Sequence, residues 1–142
     1  MSESELIEAR RNADADPSDV IAQMTAAYAC DSNDHETEAV VYYDRAWRLG
    51  VPDTERHDFL IGYGSTLRNV GRLDEALEVL GTAAGEYEGD LAPLAFLALT
   101  LHSAGRSDEA MAILLDCLVA GGGPGVDRFA RALSSYAELL RH

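Results

Sequence analysis

The segment Gly71-Arg72-Leu73-Asp74-Glu75-Ala76 recurs as Gly105-Arg106-Ser107-Asp108-Glu109-Ala110, at an offset of 34 residues. The flanking residues recur at the same offset. Upstream, the first copy has Leu60, Tyr63, Gly64 and Leu67. The second copy has Leu94, Leu97, Ala98 and Leu101 at the same spacing. Downstream, Leu80 and Ala83 correspond to Leu114 and Cys117. A fixed period of this size is typical of proteins that stack one supersecondary unit several times, so we predict a repeat protein.

A third, weaker copy comes earlier in the chain. Ala39, Tyr43 and Ala46 have the spacing of Ala76, Leu80 and Ala83, and the link between the two copies carries three extra residues. Asp34 stands where the later copies have the glycine of the turn. The chain is therefore predicted to hold about three copies, of which the first is degenerate.

Each copy contains two stretches with apolar residues three and four positions apart, separated by a turn, which predicts a pair of amphipathic helices. Small residues recur at one place in each first helix and one place in each second helix, so that the helices of a pair can approach closely. They are Ala27, Gly64 and Ala98, then Ala39, Ala76 and Ala110. One hairpin cannot bury both of its faces, whereas three stacked hairpins can. We expect an all-α, right-handed α-solenoid whose first helices form a concave surface.

These residues resemble the tetratricopeptide repeat family, in which a large residue, a Leu-Gly pair and an aromatic residue precede a Gly-Asp-Tyr-Asp-Glu-Ala-like turn. The resemblance covers about residues 20 to 122, and the stretch Ala46–Val51 is similar to compact stand-alone bacterial members. Gln23 departs from the pattern because the family has an early Trp at its place.

The predicted organisation follows from the repeats and from glycine and cap signals. We expect an N-terminal tail or short helix over residues 1–16 and a C-terminal capping helix over residues 124–142. Between them, the three repeats would cover residues 17–52, 53–89 and 90–123. The capping helix would bury one apolar face, comprising Phe129, Leu133, Tyr136 and Leu140. Side-chain caps are expected just before the helices, at Asp16, Asp34, Asp53, Asp90 and Ser107.

Composition limits the function further. The chain has 142 residues and a formal net charge of -14, with eleven Arg and no Lys. Such an acidic surface repels phosphate, so nucleic acid and anionic membranes are not expected as partners. The N-terminus lacks the basic start of a secretory signal and no apolar run reaches the length of a membrane span, so we expect a cytoplasmic protein. The absence of Lys suggests a GC-rich bacterial source.

No motif predicts catalysis, a cofactor or a metal site. Gly62–Ser65 lacks the third glycine of a nucleotide-binding loop. The three glycines Gly121–Gly123 indicate a flexible linker. The acidic run Asp31–Glu36 lacks the glycine and the distant Glu of a calcium loop. Cys30 and Cys117 are expected to be reduced, packed thiols. We therefore expect a protein that is not an enzyme.

The resemblance implies a binding surface on the concave face, because the family's inward positions map onto this chain. An apolar floor with a polar margin there suits a peptide or a helix. The predicted peptide-binding residues are Met24, Tyr28, Asp58, Ile61, Ser65, Arg68, Asn69, Ala95, Leu99 and His102. The Lys, Asn and Arg residues of the family's carboxylate-clamp members are absent from the corresponding positions.

Three functions are compatible with this pattern. The first is a protein-interaction scaffold or adaptor that binds a partner protein in the groove. The second is a structural module that self-associates as a homodimer and so covers its own apolar surface. The third is a small-molecule binder or enzyme that uses Arg68, His102 and nearby carboxylates.

Overall fold

The structure is a computed structural model that describes residues 2–142, and all regular secondary structure in that range is α-helical. This confirms the predicted all-α class, while the superhelical arrangement stays a prediction. The helices are α1 (Glu3–Ala15), α2 (Val20–Ser32), α3 (Glu36–Leu49), α4 (Asp53–Asn69), α5 (Leu73–Glu86), α6 (Leu91–Ser103), α7 (Ser107–Gly121), α8 (Pro124–Asp127) and α9 (Ala130–Arg141). They form two compact units, unit 1 ending at Arg72 and unit 2 comprising Leu73–His142.

The turn between the paired helices has the same geometry in all three copies. Gly71 and Gly105 adopt φ values of 84° and 79°, and Asp34 adopts 62° at the equivalent place. Asp is one of the few residues that tolerate this left-handed region, which explains how it replaces glycine. In each turn the N–H of the residue after the left-handed one donates to the carbonyl oxygen five residues earlier, at 2.8 to 2.9 Å. These bonds run from His35 to Cys30, from Arg72 to Leu67 and from Arg106 to Leu101. These bonds satisfy the C-terminal carbonyls of the first helices.

The helix caps agree only in part with the predicted ones. Asp90 caps α6 as expected, and Asp19 rather than Asp16 caps α2. The Asp16 carboxylate instead accepts hydrogen bonds from the N–H and hydroxyl of Ser18 after the end of α1. Asp34 is not a cap because its backbone forms the left-handed turn. The two other predicted caps, Asp53 and Ser107, are wrong too, because each is the first residue of its helix and no side chain among the described residues caps either helix.

The N-terminal segment, of which Met1 lies outside the described residues, forms a helix of 13 residues. Ser2 and Glu5 build a capping box in which each side chain accepts the other's N–H, at 3.2 and 3.4 Å. Leu6, Ala9 and Ala13 are buried, and α1 packs against α2. Of the two alternatives for this segment, the structure selects the helix.

Gln23, the departure from the family pattern, holds the end of α1 in place. Its buried amide nitrogen donates to the carbonyl oxygens of Ala13, at 2.8 Å, and Asp16, at 3.1 Å. The last carbonyls of a helix have no partner within that helix, so a buried helix end needs such a donor. The family's Trp has only one N–H and would not bond to both carbonyls.

Aromatic side chains form the core of unit 1. Tyr43 on α3 lies 5.4 Å from Phe59 and 5.6 Å from Tyr63 of α4, measured between ring centroids. Tyr28 of α2 is 6.0 Å from Tyr43, and Trp47 stacks on Phe59 at 6.1 Å. Phe59 is fully buried and Tyr43 is 1% exposed. The second helix of the first copy is thus covered by the first helix of the next.

Unit 2 has a core of smaller aliphatic residues. Ala98 and Leu101 of α6 pack with Ala110 of α7, flanked by Leu77 and other partly buried aliphatic side chains. The six small residues predicted at close helix contacts in the two units, Ala27, Gly64, Ala98, Ala39, Ala76 and Ala110, are all buried. This confirms the register of the repeat pattern, because a misplaced register would put these positions on the surface.

The C-terminal segment differs from the single capping helix predicted from its sequence. It forms α8 and α9, separated by Arg128 and Phe129, and α9 packs against α7. The packed side of α9 is lined by Ala130, Leu133, Ala137 and Leu140. Phe129 and Tyr136 are 55% and 62% exposed, so their predicted burial is wrong. The small alanines face α7 and allow a closer approach than the aromatic rings would.

Candidate protein-binding surface

The predicted binding residues lie on α2 and α4 in unit 1 and on α6 in unit 2, and each unit is described by itself. On α2, the predicted residue Tyr28 is half-buried, and Ile21, about two helical turns earlier, is 53% exposed. Met24 is only 3% exposed. Met24 therefore contributes to the core of unit 1 and is not accessible to a partner.

The α4 part of the surface combines one apolar side chain with polar ones. Ile61 and Ser65, one helical turn apart, are partly exposed. The Asp58 side chain is 88% exposed, and its carboxylate lies 2.8 Å from Nδ1 of His57. This face of α4 thus offers an apolar contact next to a negative charge.

The C-terminal end of α4 adds Arg68 and Asn69. Arg68 is half-buried, whereas Asn69 is exposed. The Asn69 amide donates to a Glu36 carboxylate oxygen at 2.9 Å and so joins α4 to the start of α3. The amide that was predicted to bind a peptide is therefore already engaged, and a ligand must compete with Glu36 for it.

A hydrogen-bonded network lies beneath these residues. The Asp31 carboxylate accepts from the hydroxyls of Tyr43, at 2.9 Å, and Thr66, at 3.3 Å. A side-chain carbon on Gly62 would lie 2.7 Å from the Tyr43 hydroxyl oxygen, so only glycine fits there. Gly62, which the sequence places in a fragment of a nucleotide-loop pattern, is thus a packing residue.

Tyr28 presents the unusual polar group of this surface. Its hydroxyl oxygen is buried and has no hydrogen-bond partner among residues 2–142. Burial, followed by the nearby carboxylates of Glu55 and Asp58, raises the pKa of Tyr28 to about 12. The hydroxyl is therefore neutral at physiological pH and able to donate to an acceptor.

The α6 part of the surface is mainly apolar. Leu99 is 46% exposed and Ala95 is partly buried on the same helix face, one turn earlier. His102 is exposed, and its Nδ1 lies 3.2 Å from the Ser107 hydroxyl oxygen. Unit 2 thus contributes an apolar contact with one polar residue beside it.

The acidic run Asp31–Glu36 does not converge on a common point. Asp31 bonds to hydroxyls of the unit 1 core, Asp34 forms the turn and Glu36 accepts from Asn69. Within the described part of the chain, no group of three or more His, Cys, Asp or Glu residues has the arrangement of a metal site. Cys30 is buried and Cys117 partly buried, both as free thiols, and burial raises the pKa of each.

Sequence reasoning missed the contribution of α1. Ala9 and Asn12 of α1 lie with Ile21 of α2 along a shallow depression on unit 1. The sequence left a tail or a short helix open for this segment and gave no reason to place it beside the binding surface. The spacing of Ser2 and Glu5, which is that of a capping box, is the signal that predicts the helix.

Comparison with known proteins identifies the family. A family model described as "Tetratrico peptide repeat" matches residues 20–140, and the chain belongs to the tetratricopeptide repeat family. The match extends beyond the third copy and covers α9 up to residue 140. Proteins of this family generally act as protein–protein interaction modules. No curated protein and no solved structure matches the chain. None of the helices described, α1 to α9, is both long and apolar enough to cross a membrane.

Proposed function

We propose that this chain is a non-enzymatic, cytoplasmic scaffold or adaptor that binds a peptide or helix of another protein through its first helices. The observation that carries the proposal is the exposure of large apolar side chains on these helices. Ile21 of α2 is 53% exposed and Leu99 of α6 is 46% exposed. Apolar side chains at such positions suit the anchor residues of a bound segment.

The polar residues around these contacts suggest the character of the partner segment. Asp58 is strongly exposed, and it lies with Glu55 near the Tyr28 hydroxyl. The whole chain carries a formal net charge of -14. A segment with an apolar anchor and with neutral or basic flanking residues would meet the least repulsion. The proposed contact residues are Ile21, Tyr28, Asp58, Ile61, Ser65, Arg68, Asn69, Ala95, Leu99 and His102.

The test compares capture from the native lysate by the wild type and by the double variant Ile61→Glu, Leu99→Glu. The matched control is Val41→Glu, at a 44% exposed position on α3, a second helix. All three proteins are first shown to have the same helical circular dichroism. We expect prey that binds the wild type and Val41→Glu and is lost with the double variant.

The captured protein is then made as a pure segment, and its dissociation constant is measured against the same three proteins. A dissociation constant raised at least about tenfold by the double variant alone supports the proposal. Equal binding by all three proteins, or equal loss with Val41→Glu, would place binding elsewhere and refute it.

A further inference from the structure

One surface of unit 2 lacks the cover that the repeat pattern gives it elsewhere. Tyr43, Leu80 and Leu114 occupy the same position in the second helices of the three copies. Tyr43 is 1% exposed because Phe59 and Tyr63 of α4 pack on it. Leu80 is fully buried in α5, against which α6 packs. Leu114 is 44% exposed.

Leu114 belongs to a larger apolar surface on α7. Met111 and Leu118 lie three residues before and four residues after it, on the same helix face, and each is 51% exposed. These three residues form the α7 stripe. In the earlier copies the corresponding helix face is covered by the first helix that follows, whereas α9 packs against α7 and leaves the α7 stripe about half-exposed.

The helix that packs against α7 has spare apolar side chains of its own. Phe129, Tyr136 and Leu139 are 55%, 62% and 71% exposed, and we call them the α9 face. Helix geometry places the α9 face and the α7 stripe on the same side of unit 2. The ion pair between Asp116 and Arg141 joins the two helices on one side of their contact. At about 100° per residue, the α7 stripe lies well over 90° around its helix from Asp116, and the α9 face lies well over 90° around its helix from Arg141. Both apolar sets are therefore on the side away from the ion pair.

We propose that this chain forms a two-fold symmetric dimer in which the α9 face of each copy packs on the α7 stripe of the other. The α7 stripe lacks the kind of cover that α4 gives Tyr43, namely a helix bearing aromatic and other large apolar side chains. A second copy supplies such a helix in α9. In a two-fold arrangement each contact occurs twice, so both sets are covered at once.

The exposed area comes close to what a stable dimer buries. The six side chains of the two sets are between 44% and 71% exposed. Side chains of this size carry on the order of 150–200 Å² each, so they expose about 600 Å² of apolar surface per copy. That is the upper end of what a monomer usually leaves in one patch, and most of the roughly 800 Å² per partner that a stable interface buries.

The charge distribution also favours contact at this end of the chain. Residues 107–142 hold five acidic residues and three Arg, a formal charge of -2. The remaining residues hold twenty acidic residues and eight Arg, a formal charge of -12. Two copies that meet through α7 and α9 therefore bring together segments that carry little of the chain's negative charge, and repulsion between the copies is weak there.

Sedimentation equilibrium over a range of concentrations tests the dimer. The variants are Leu114→Glu in the α7 stripe and Leu139→Glu in the α9 face. The matched control is Leu99→Glu, the same substitution in unit 2 at a nearly equal exposure of 46% but on α6. All variants are first required to keep the wild-type helical circular dichroism. Since every dimer loses two contacts, we expect each test variant to raise the dimer dissociation constant about tenfold or more. The control should leave it unchanged.

Mixing the two test variants distinguishes the proposed pairing from α7 on α7 and α9 on α9. The mixed dimer keeps one intact contact of α9 on α7, whereas neither variant alone keeps any. We expect the mixture to dimerise more tightly than either variant by itself. A wild type that stays monomeric at all concentrations would overturn the proposal and leave the surface for a different protein. A dimer that survives both test variants, that Leu99→Glu also abolishes, or that the mixture does not restore would overturn it too.

Discussion

Unit 1 and unit 2 repeat the same helix-turn-helix pattern but differ in what holds them together. In unit 1 the second helix α3 carries Tyr43 beneath two aromatic rings of α4, and the Tyr43 hydroxyl bonds to Asp31. In unit 2 the equivalent helix α7 carries Leu114, which is half-exposed. The difference shows that a repeat position fixes where a side chain lies on its helix, whereas the neighbouring helix decides whether that side chain is buried.

The arginine of the repeated turn shows the same contrast. Arg72 donates to both carboxylate oxygens of Asp44 on α3, at 2.9 and 3.2 Å. Its counterpart Arg106 pairs instead with Glu109 on its own helix turn, where both side chains are exposed. The residue that corresponds to Asp44 in the next copy is Gly81, which has no side chain to offer. One motif residue thus makes a long-range contact in unit 1 and a local one in unit 2.

The largest expected effect comes from opening the aromatic core of unit 1. Phe59→Ala removes a fully buried ring and should lower the free energy of unfolding by about 3–5 kcal/mol. Phe129→Ala removes a ring that is 55% exposed on unit 2 and should change it by less than about 1 kcal/mol. Urea unfolding followed by circular dichroism measures both. Equal losses would mean that Phe129 is covered in solution.

Shortening the side chain at the same repeat position in two copies shows how much stability depends on a covering helix. Leu80→Ala should lower the free energy of unfolding by about 2–5 kcal/mol because it leaves a cavity. Leu114→Ala should cost about 1 kcal/mol, because half of that side chain already meets water. The comparison uses urea unfolding at a protein concentration low enough to exclude association. A larger loss for Leu114→Ala would contradict the contrast between the units.

The two motif arginines predict a further difference. Asp44→Ala leaves the partly buried Arg72 without its bidentate partner and also removes the acceptor of the Tyr63 hydroxyl, at a cost of about 2 kcal/mol. Glu109→Ala breaks an exposed pair and should not change stability measurably. Thermal melts of the two variants at low and high salt test this. If both variants melt alike, the long-range contact of Arg72 adds no stability.

Two tyrosines in unit 1 allow a hydrogen-bonded hydroxyl to be compared with one that has no partner in the described structure. Tyr43→Phe loses the bond to Asp31 and should cost about 1–2 kcal/mol. Tyr28→Phe removes a buried hydroxyl without a partner in the described structure and should change stability by less than about 0.5 kcal/mol, or raise it. Urea midpoints of the two variants provide the measurement. A clear loss for Tyr28→Phe would reveal a partner for that hydroxyl.

The smallest predicted effect concerns the pH dependence of stability. The neutral hydroxyls of buried tyrosines stabilise the fold at neutral pH, and this stabilisation is lost in alkali. Burial raises the pKa values of Tyr28 and Tyr42 to about 12, from the ordinary value of 10.0. Between these pH values the unfolded chain has released protons that the folded chain retains, so the free energy of unfolding falls as pH rises. Urea midpoints measured from pH 8 to 11.5 should show this fall, and Tyr28→Phe should make it shallower. An identical slope in the variant would contradict the raised pKa of Tyr28.

Much of the fold could be predicted because its signals are local. The repeated Gly-Arg turn and the buried alanines follow from backbone geometry and from spacing along one helix. The Asp34 turn could be inferred by alignment with the two glycines and has their left-handed backbone. The caps at Asp16 and Asp34 were predicted wrongly, because several nearby acidic residues compete for the same role and only the backbone path decides among them.

The candidate surface was less predictable than the fold. Met24 lies on the expected helix, but the packing around α2 buries it, and no spacing rule records that packing. Asn69 is exposed as expected, although its amide is already engaged by Glu36, 33 residues earlier. Such long-range pairs have no signature in a single sequence.

By itself, the sequence determined the all-α class, the period of the repeats and the family, because each depends on residue spacing within a few helical turns. The tertiary structure decided which equivalent positions are covered. It buried Tyr43 and Leu80, left Leu114 half-exposed and turned Phe129 and Tyr136 outwards. The physical reason is that burial depends on the neighbouring helix and on the angle at which it packs, and α9 approaches α7 through alanines and leucines rather than through its aromatic rings.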